Sequence, residues 1–408
     1  MKFKFLTLKD VALTNKRVLV RVDINSPIAD NNTLLETSRI KAILPTLEML
    51  KDSKTVLLAH QSRPGKKDFT SLAPHATVLK SLIDRPVKFV DDIFGSTAQK
   101  AIKELKNGEI LLLENVRFYS EEVAEDIPPE KQAKTIMVRT LSPLFDLFVN
   151  DAFAAAHRAQ PSLIGFTYTL PAVAGKVMEK ELTVLNKIFD PDRPAVFIIG
   201  GAKVDTKLEI LKNILKNGKA DKILLGGLLI NLFLEAKGYK IGELNRKTID
   251  KFDHYLKETE NILREYGDNI ELPTDVAIEA EGKRYEVSCD ELNRKSKILD
   301  IGLDTIVKYS NIIVNSKTVV ANGPLGLFER EDFALGTREI LDAMTRCKNF
   351  TVVGGGELGG YAEILGLSSK ISHLSTGGGA TLALLSGEEL PVIKALEEAA
   401  QKFKQQAA

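Results

Sequence analysis

The sequence has few of the features that mark secreted, membrane or metal-thiolate proteins. It contains only two cysteines, Cys289 and Cys347, and because they form no CxxC pair and no cluster with histidine, neither a disulfide framework nor a thiolate metal site is indicated. No segment approaches the roughly 18 consecutive apolar residues of a membrane span. Charged residues interrupt the N-terminal segment every few positions, which excludes the apolar core of a signal peptide. We therefore expect a cytoplasmic protein.

An excess of charge of one sign is also missing. The 56 lysines and arginines nearly cancel the 55 aspartates and glutamates, so the chain has no global basic field that would recruit nucleic acid or anionic lipid. Any site for an anionic ligand must therefore be local. We expect small-molecule ligands, with no nucleic acid and no membrane as partner.

Two familiar nucleotide-binding motifs do not apply. The pattern G-x-x-x-x-G-K-[ST] is absent from the sequence, which excludes a P-loop kinase. Gly354, Gly356 and Gly359 spell G-x-G-x-x-G after a predicted strand. However, that motif expects an acidic residue about 20 positions later to hold a ribose, and none is present around 375–385. We interpret this match as incidental.

Short β-rich runs alternate with longer amphipathic segments along most of the chain, which is typical of a parallel sheet covered by helices. An apolar content of 44% in 408 residues favours two or three domains, at roughly 150 residues each. The predicted strands are 18–22, 56–59, 87–90, 110–113 and 147–150 in the first half, and 195–199, 222–225, 275–278, 318–320 and 350–353 in the second half. We predict an α/β fold with two sheets of about five strands each.

Two helices are predicted outside these alternations. The segment 172–188, after Pro171, has apolar residues at near-helical spacing, so it predicts a helix that connects the two halves. The segment after Pro391 places Val392, Ile393, Leu396, Ala399 and Phe403 on one helical face. We expect this last helix to pack on the rest of the protein.

The residues that follow the strands differ between the two halves. In open α/β sheets, ligands bind outside the carboxyl ends of the strands. Charged side chains, rich in arginine, follow the strands of the first half, and arginines grip carboxylates and phosphates by bidentate hydrogen bonds. Glycine-rich turns follow the strands of the second half, and such turns cradle phosphates with backbone N–H groups. Each motif alone is weak, but together they predict sites for two different anionic ligands.

These segments together resemble phosphoglycerate kinases, of the archaeal branch of that family, over about 370 collinear residues. In the first half the resemblance lies in RVDINSP (21–27), HQSRPG (60–65), LLLENVRFYSEE (111–122) and VNDAFAAAHRAQPS (149–162). It continues through PAVAGKVMEKEL (171–182), IGGAKVDTK (199–207), NGPLGLFE (322–329), VGGGELGG (353–360) and STGGGATLALLSGEELP (375–391).

The resemblance implies two Rossmann-like lobes joined by a hinge helix. The N-terminal lobe, 1–171, would bind 3-phosphoglycerate, and the C-terminal lobe, 189–390, would bind the nucleotide. The helix 172–188 would join them, and the C-terminal helix 391–408 would pack back on the N-terminal lobe. The implied substrate-binding residues are Asp23, Asn25, Arg39, His60, Arg63, Arg117 and Arg158. The implied nucleotide-binding residues are Lys203, Lys207, Asn322, Glu329, Gly355, Gly356, Glu357 and Leu358.

Arg39 also stands out from the residues alone. Thr37 or Ser38 is a candidate cap for a helix with apolar residues on one face, which would fix Arg39 in the first turn. The resemblance gives Arg39 and Lys203 catalytic roles on the transferring phosphoryl group. The sequence departs from the usual family pattern at three places: Ala321 replaces a tryptophan, Gln61 and Ser62 replace Leu-Gly, and Glu357 and Leu358 replace Asp-Thr.

The implied reaction is reversible phosphoryl transfer between 1,3-bisphosphoglycerate and ADP, giving 3-phosphoglycerate and ATP, as in glycolysis and gluconeogenesis. Mg²⁺ would accompany the nucleotide, with Glu357 as its candidate protein ligand. Because the two ligands belong to different lobes, hinge-bending would bring them together. Two rivals stay open: a non-catalytic two-lobed binding protein, and a homologue that binds nucleotide but is catalytically degenerate. Both a monomer and a homodimer are compatible with the sequence.

Overall fold

The computed structural model describes residues 3–124, 127–292 and 295–407. The chain forms two compact units. The first unit comprises Lys2–Thr183 and Glu389–Ala408, and the second comprises Val184–Glu388. The division between them falls inside a helix, Lys176–Phe189.

The first unit is built on a parallel sheet of six strands in the order β3-β4-β2-β1-β5-β6. The strands are β1 Arg17–Val22, β2 Lys54–Leu58, β3 Val87–Phe89, β4 Ile110–Leu112, β5 Leu147–Asp151 and β6 Ala172–Ala174. The helices are α1 Ser38–Ala42, α2 Leu44–Met49, α3 Ala73–Leu82, α4 Ser96–Glu104, α5 Ser120–Val123, α6 Ile136–Leu141, α7 Pro161–Ile164 and α8 Lys176–Phe189. The five predicted strands of this half are present, and β6 was not predicted.

The sheet of the first unit is buried because its strands are nearly continuous apolar runs, as parallel strands covered on both faces must be. Val18, Leu19, Val20 and Val22 of β1 are all fully buried. The register pairs Val22 with Asp151 at the end of β5. The carboxyl ends of the central strands therefore lie side by side, which brings the residues that follow them to one edge of the sheet.

The connecting segment differs from its prediction at its start. The sequence predicts a helix over 172–188, whereas Ala172–Ala174 is strand β6 and α8 begins at Lys176. The strand forms because this stretch pairs in parallel with β5, starting from Phe148 opposite Ala172. Helical spacing in the sequence could not reveal this pairing, because the partner strand lies more than twenty residues earlier.

Asp151 fixes the start of α8. Its Oδ1 accepts hydrogen bonds from the N–H groups of Val177 at 2.8 Å and Met178 at 3.1 Å, and its Oδ2 accepts one from Thr46 Oγ1 at 2.6 Å. These bonds satisfy amides that have no partner inside the helix. Gly175 packs so closely that a Cβ there would lie 2.3 Å from Asp151 Oδ1.

The C-terminal helix, α17 (Pro391–Ala407), belongs to the first unit. It packs against β6, α7 and the short helical turn Gly165–Tyr168. Val392 and Leu396 are fully buried on its inner face. The helix thus covers one end of the sheet of the first unit.

The second unit has its own parallel sheet of six strands, in the order β15-β14-β13-β7-β8-β9. Its strands are β7 Ala195–Ile199, β8 Lys222–Leu225, β9 Ile270–Glu271, β13 Thr318–Asn322, β14 Phe350–Gly354 and β15 His373–Leu374. The helices are α9 Val204–Lys216, α10 Leu229–Ala236, α11 Glu243–Arg246, α12 Phe252–Tyr266, α13 Leu303–Val314, α14 Leu335–Arg346, α15 Gly356–Ile364 and α16 Gly379–Leu385. Strands β7 and β8 have the predicted bounds.

One predicted strand of the second half lies in a separate sheet. The strand predicted at 275–278 is β10 (Asp275–Ala280), which pairs antiparallel with β11 (Lys283–Ser288) and β12 (Ile298–Ile301). The β10–β11 hairpin turns at Glu281 and Gly282, both at positive φ, and a two-residue turn of this kind matches the twist of an antiparallel pair. The prediction of only two sheets was therefore wrong.

The helices in the described ranges are too short or too polar to span a bilayer.

Candidate functional site

In the first unit, the candidate site begins at Asp23, directly after β1. Its Oδ2 accepts a hydrogen bond from Arg39 Nη1 at 2.6 Å, and its Oδ1 accepts one from the Asn25 N–H at 3.1 Å. Burial alone would raise the pKa of Asp23, but the positive charges nearby, including Arg39 and Arg21, outweigh that effect and lower it. Asp23 is therefore an ionised carboxylate that holds Arg39 in place.

Arg39 lies in the first turn of α1, as predicted, but the predicted cap does not form. Thr37 occupies the cap position without a side-chain hydrogen bond to the helix, and Ser38 Oγ instead donates to Glu36. The orientation of Arg39 is set by Asp23. Its side chain remains 36% exposed, so part of the guanidinium is available to a ligand.

A buried arginine, Arg21, lies behind this site and was not among the predicted residues. Its Nε donates to Ser162 Oγ at 2.8 Å, its Nη1 donates to the carbonyl of Val22, and its Nη2 lies 3.0 Å from His60 Nδ1. Glu122 completes the network, since its carboxylate accepts from both the Oγ and the N–H of Ser162. A charged residue inside an apolar strand was the signal that could have identified Arg21, because such a charge needs buried partners.

His60 is part of this network and is uncharged at neutral pH. Burial, followed by the positive charge of Arg21, lowers the pKa of His60 to about 3. The neutral ring therefore offers one nitrogen as an acceptor to Arg21. Its other nitrogen is the group through which His60 could contact a ligand.

The loop after β2 is organised by Ser62, which has φ +55°. Its N–H donates to Asn25 Oδ1 at 2.7 Å, its carbonyl accepts from Arg117 Nη1, and its Oγ donates to Asp68 Oδ1 at 2.6 Å. Left-handed backbone is uncommon outside glycine, so Ser62 adopts a conformation that a glycine would take more readily. Ser62 thus ties two of the predicted residues, Asn25 and Arg117, to one loop.

The remaining predicted residues of this unit, Arg63 and Arg158, complete a cluster of positive charge. Burial lowers the pKa of Arg158, the charge of Asp23 opposes that shift, and the charge of Arg63 adds to it. Arg63 itself is exposed. All seven predicted residues therefore belong to one edge of the first sheet, and this cluster suits a ligand that carries carboxylate or phosphate groups.

In the second unit, the candidate site centres on Lys207 of α9. Its Nζ donates to the carbonyl of Asn322 at 3.1 Å and also to the Asn322 side-chain oxygen. Asn322 ends β13, and its Nδ2 donates to the carbonyl of Gly354 at 3.2 Å. Burial lowers the pKa of Lys207 to about 8, the charge of Glu357 opposes the shift, and the charge of Lys203 adds to it.

Glycines allow two turns of this site to approach each other closely. A Cβ on Gly200 would lie 2.2 Å from the carbonyl oxygen of Pro324, and one on Gly323 would lie 2.3 Å from the carbonyl oxygen of Gly200. Any side chain here would push the two turns apart. The glycine-rich motifs therefore bring backbone together at the carboxyl ends of β7 and β13.

Beside these turns is a cavity of about 260 Å³. It is lined by Gly201, Ala202, Gly227, Leu228, Ile230, Ile298, Leu299, Asp300, Pro324, Leu325, Gly326, Leu327, Phe328, Glu329 and Glu357. The lining is mainly apolar, with three carboxylates. Such a cavity, next to glycine turns and a buried lysine, suits a ligand with a flat apolar part and a charged part.

The predicted residues of α15 have unequal surroundings. Gly355, at φ +100°, precedes the helix and Gly356 begins it. Glu357 is exposed and lines the cavity, whereas the Leu358 side chain is buried in the hydrophobic core of this unit. Leu358 can therefore offer a ligand only its backbone. In the residues that the structure describes, no three His, Cys, Asp or Glu side chains are grouped as ligands for a metal ion.

Comparison with known proteins identifies the family. The family model for phosphoglycerate kinase matches residues 8–388. Phosphoglycerate kinases of Methanothermus fervidus and Archaeoglobus fulgidus are each 49% identical, over 98% and 96% of both chains respectively. Crystallised phosphoglycerate kinase from Pyrococcus horikoshii is 42% identical, with a TM-score of 0.86 over 98% of this chain and 100% of that one. The enzyme from Coxiella burnetii is 32% identical, with a TM-score of 0.83 over the same shares.

These findings confirm the predicted family, with its largely archaeal relatives, and the predicted enzyme class, a phosphotransferase with a carboxyl group as acceptor. They give no support to a catalytically degenerate homologue. The similarity extends across both units, including the arginine-rich and the glycine-rich halves. The chain belongs to the phosphoglycerate kinase family.

Proposed function

We propose that the two units divide the reaction, which transfers a phosphoryl group reversibly between 1,3-bisphosphoglycerate and ADP. The first unit holds 3-phosphoglycerate, and the second holds the nucleotide. The observation that carries this proposal is the contrast between an arginine cluster at one sheet edge and a glycine-lined apolar cavity at the other. The 3-phosphoglycerate residues are Asp23, Asn25, Arg39, His60, Arg63, Arg117 and Arg158, and the nucleotide residues are Lys203, Lys207, Asn322, Glu329, Gly355, Gly356, Glu357 and the backbone of Leu358.

The arginine cluster suits 3-phosphoglycerate, which carries both a phosphate and a carboxylate. Arginine forks bind each of these groups through two parallel hydrogen bonds. The neutral ring of His60 and the amide of Asn25 provide uncharged groups for the hydroxyl of the substrate. Because Asp23 and Ser62 already orient Arg39 and Arg117, little side-chain freedom is lost when the substrate binds.

The cavity of the second unit suits a nucleotide. Its apolar walls take the base. The glycine turns bring the backbone close together, and the N-terminus of α15, which follows Gly355, offers backbone N–H groups to the phosphates. The ammonium group of Lys207 adds a charge beside those turns. Glu329, exposed at the rim of the cavity, is placed to accept hydrogen bonds from ribose hydroxyls.

Glu357 is the candidate protein ligand for Mg²⁺. Magnesium is commonly bound by one or two carboxylates together with substrate phosphates and water. An exposed carboxylate that lines the cavity and acts on the pKa of Lys207 fits that pattern. When bound with the nucleotide, the ion supplies positive charge that offsets the charge on the phosphates.

Arg39 and Lys203 are the groups that we assign to the transferring phosphoryl. No general base is needed in the ATP-consuming direction, because the carboxylate of 3-phosphoglycerate is already ionised. Catalysis then consists of positioning and of stabilising charge on the phosphoryl oxygens. Lys203 is exposed at the N-terminus of α9, which leaves its ammonium group free to meet a phosphoryl group.

Transfer requires the two ligands to meet, and they belong to different units. We assign that closure to the segment of α8 where the units divide, between Thr183 and Val184. Closure would also exclude water from the reacting groups. We place the protein in the cytoplasm, which agrees with the buried, unpaired state of Cys289 and Cys347.

Two matched asparagine variants test the division of ligands. Asn25→Ala should weaken the binding of 3-phosphoglycerate and leave the binding of ADP unchanged, and Asn322→Ala should do the reverse. Both affinities are measured by calorimetry on the full chain, with circular dichroism to confirm folding. If both variants weaken the same ligand, or if Asn322→Ala weakens only 3-phosphoglycerate, the division is wrong. A coupled assay with ATP, Mg²⁺ and 3-phosphoglycerate reports turnover.

A further inference from the structure

A buried carboxylate, Asp300, lines the cavity of the second unit although no motif points to it. It lies in β12 and is only 1% exposed. Its Oδ2 accepts hydrogen bonds from Arg284 Nη1 at 2.8 Å and from the Gly336 N–H at 2.7 Å, and its Oδ1 accepts one from the Ile301 N–H at 2.9 Å. Both carboxylate oxygens therefore accept hydrogen bonds from protein groups next to the cavity wall.

Asp300 supports the segment 324–329, which forms one wall of the cavity. A Cβ on Gly326, in that segment, would lie 2.3 Å from Asp300 Oδ1, so the backbone of the wall rests directly on the carboxylate. The next residue, Leu327, donates its N–H to the carbonyl of Leu299 at 2.8 Å. The position of this wall therefore depends on the side chain of Asp300 and on the strand that carries it.

Arg284 connects the same carboxylate to the β10–β11 hairpin. Besides Asp300, it donates through Nη1 to the carbonyl of Asp332 at 2.9 Å and through Nη2 to the carbonyl of Ile301 at 3.0 Å. Its Nε donates to Glu286 Oε1 at 2.7 Å. Burial raises the pKa of Asp300 to about 6 despite the hydrogen bond from Arg284, so the pair is ionised at neutral pH.

We infer that Asp300 and Arg284 are positioning residues that hold the wall of the nucleotide cavity, and that the three-stranded sheet braces that cavity. This inference rests on the proposed function, because it takes the cavity to be the nucleotide site. The pair does not touch the reacting groups. Its loss moves the wall formed by Gly326 and Leu327, and so weakens nucleotide binding without changing the binding of 3-phosphoglycerate.

Asp275 provides a matched control in the same sheet. It is also a buried aspartate, and it accepts hydrogen bonds from the N–H groups of Asp304 at 3.0 Å and Thr305 at 2.7 Å. It too packs against a glycine, since a Cβ on Gly302 would lie 2.2 Å from its carboxylate. Asp275 does not line the cavity, so its loss should affect stability alone.

The experiment compares Asp300→Asn, Arg284→Met, Arg284→Lys and Asp275→Asn in the full chain. We expect Asp300→Asn and Arg284→Met to weaken ADP binding roughly tenfold or more, because a displaced wall loses part of its contact with the nucleotide, and about 1.4 kcal/mol of lost contact is tenfold in affinity. Arg284→Lys keeps the charge but not the fork, so it should retain part of the affinity. The Michaelis constant for 3-phosphoglycerate should stay within twofold of the original value in each variant, and so should ADP binding by Asp275→Asn. Calorimetry, steady-state kinetics and urea unfolding give these quantities.

Two results would overturn the inference: ADP affinity within twofold of the original in the Asp300 and Arg284 variants, or an equal loss of affinity in Asp275→Asn. If Asp300→Asn does not fold, the two Arg284 variants decide the matter, because that side chain is partly exposed. Lys207→Ala separates the inference from the proposed function. If Lys207→Ala loses ADP affinity while Asp300→Asn and Arg284→Met keep it, only the inference fails. If Lys207→Ala, Asp300→Asn and Arg284→Met all keep it, the cavity is not the nucleotide site and both fail.

Discussion

Both candidate anion sites lie at the carboxyl ends of the strands of a parallel sheet. One is built mainly from side chains, and the other mainly from backbone. In the first unit, side chains supply the charge, and a buried network around Arg21 holds them. In the second unit, glycine turns pack closely, the N-terminus of α15 offers backbone N–H groups, and a buried lysine, Lys207, is tied to Asn322. If the proposed division of ligands holds, one sheet architecture can present either oriented arginines or backbone N–H groups to an anion.

The two sites should therefore fail differently. Single substitutions can remove the groups of a side-chain site one at a time. Where a substitution leaves a buried charge without its partner, the free energy of unfolding falls strongly. A site made of backbone is damaged mainly by changes that move the chain. The predictions that follow test this contrast, starting with the largest expected effect.

The largest effect should come from the buried network of the first unit. Arg21→Met removes a positive charge that stabilises buried Glu122 and is linked to it through Ser162, and leaving a buried charge uncompensated costs about 3 to 5 kcal/mol. The free energy of unfolding, measured with urea, should fall on that scale. Adding Glu122→Gln should recover part of the loss, because the remaining group is neutral. An Arg21→Met protein as stable as the original would show that the network is not a structural element.

Arg39→Ala should have the next largest effect, and the effect should be on turnover. Loss of one preorganised donor to a developing charge costs about 3 to 4 kcal/mol, or roughly a hundredfold to a thousandfold in rate. ADP affinity and folding should survive, and Arg39→Lys should restore only part of the turnover. Steady-state kinetics provide the measurement, and Arg139→Ala, an exposed arginine on α6, is the control. Turnover within threefold of the original would remove Arg39 from the catalytic set.

Lys207→Ala should act on binding rather than on rate. A hydrogen bond to a charged group contributes about 1.5 to 3 kcal/mol, so ADP affinity should fall roughly tenfold to a hundredfold. Lys203→Ala should instead lower turnover, because Lys203 is exposed and Lys207 is already held by Asn322. Equal increases in the nucleotide Michaelis constant for both variants, with turnover unchanged, would contradict this division of roles.

The smallest effect concerns pH. Because burial lowers the pKa of Lys207 to about 8, its ammonium group is protonated below that pH and loses its proton above it. If only the protonated form binds the nucleotide well, ADP affinity should fall roughly fourfold between pH 7 and pH 8.5. Lys207→Arg keeps its charge over this range and should flatten the profile. An unchanged slope in Lys207→Arg would assign the pH dependence to another group.

The sequence predicted most of the central strands because parallel strands buried on both faces are continuous apolar runs. It missed β6, β9 and β15, which are two or three residues long and depend on pairing with distant strands. It also missed β11 and β12 of the three-stranded sheet. It assigned β10 to a main sheet because periodicity does not identify the partner of a strand. The turn at Glu281 and Gly282 was the available signal for a hairpin.

Residues of the candidate sites that carry recognisable motifs were predicted, whereas their supports were not. Arg117 and Lys207 lie in segments with family resemblance, Arg39 was assigned from that resemblance and from its place in the first turn of a helix, and the structure shows their contacts. Glu122 and Ser162 end two of the quoted motifs and Asp300 lies in none, but all three act through contacts with residues far away in the chain. Nothing local to a lone serine or acid shows which distant group it will meet. Supports of this kind become visible only when the fold is known.

The contact between Gly175 and Asp151 constrains how the sequence can change. Any side chain at 175 would collide with the carboxylate at 151, because a Cβ would lie 2.3 Å from its Oδ1. A smaller residue at 151 would make room, but it would leave the first amides of α8 without their acceptor. Neither position can change alone without loss, and no simple pair of substitutions restores both functions. We therefore expect both positions to stay unchanged, because the start of the helix that leads from one unit to the other depends on the two together.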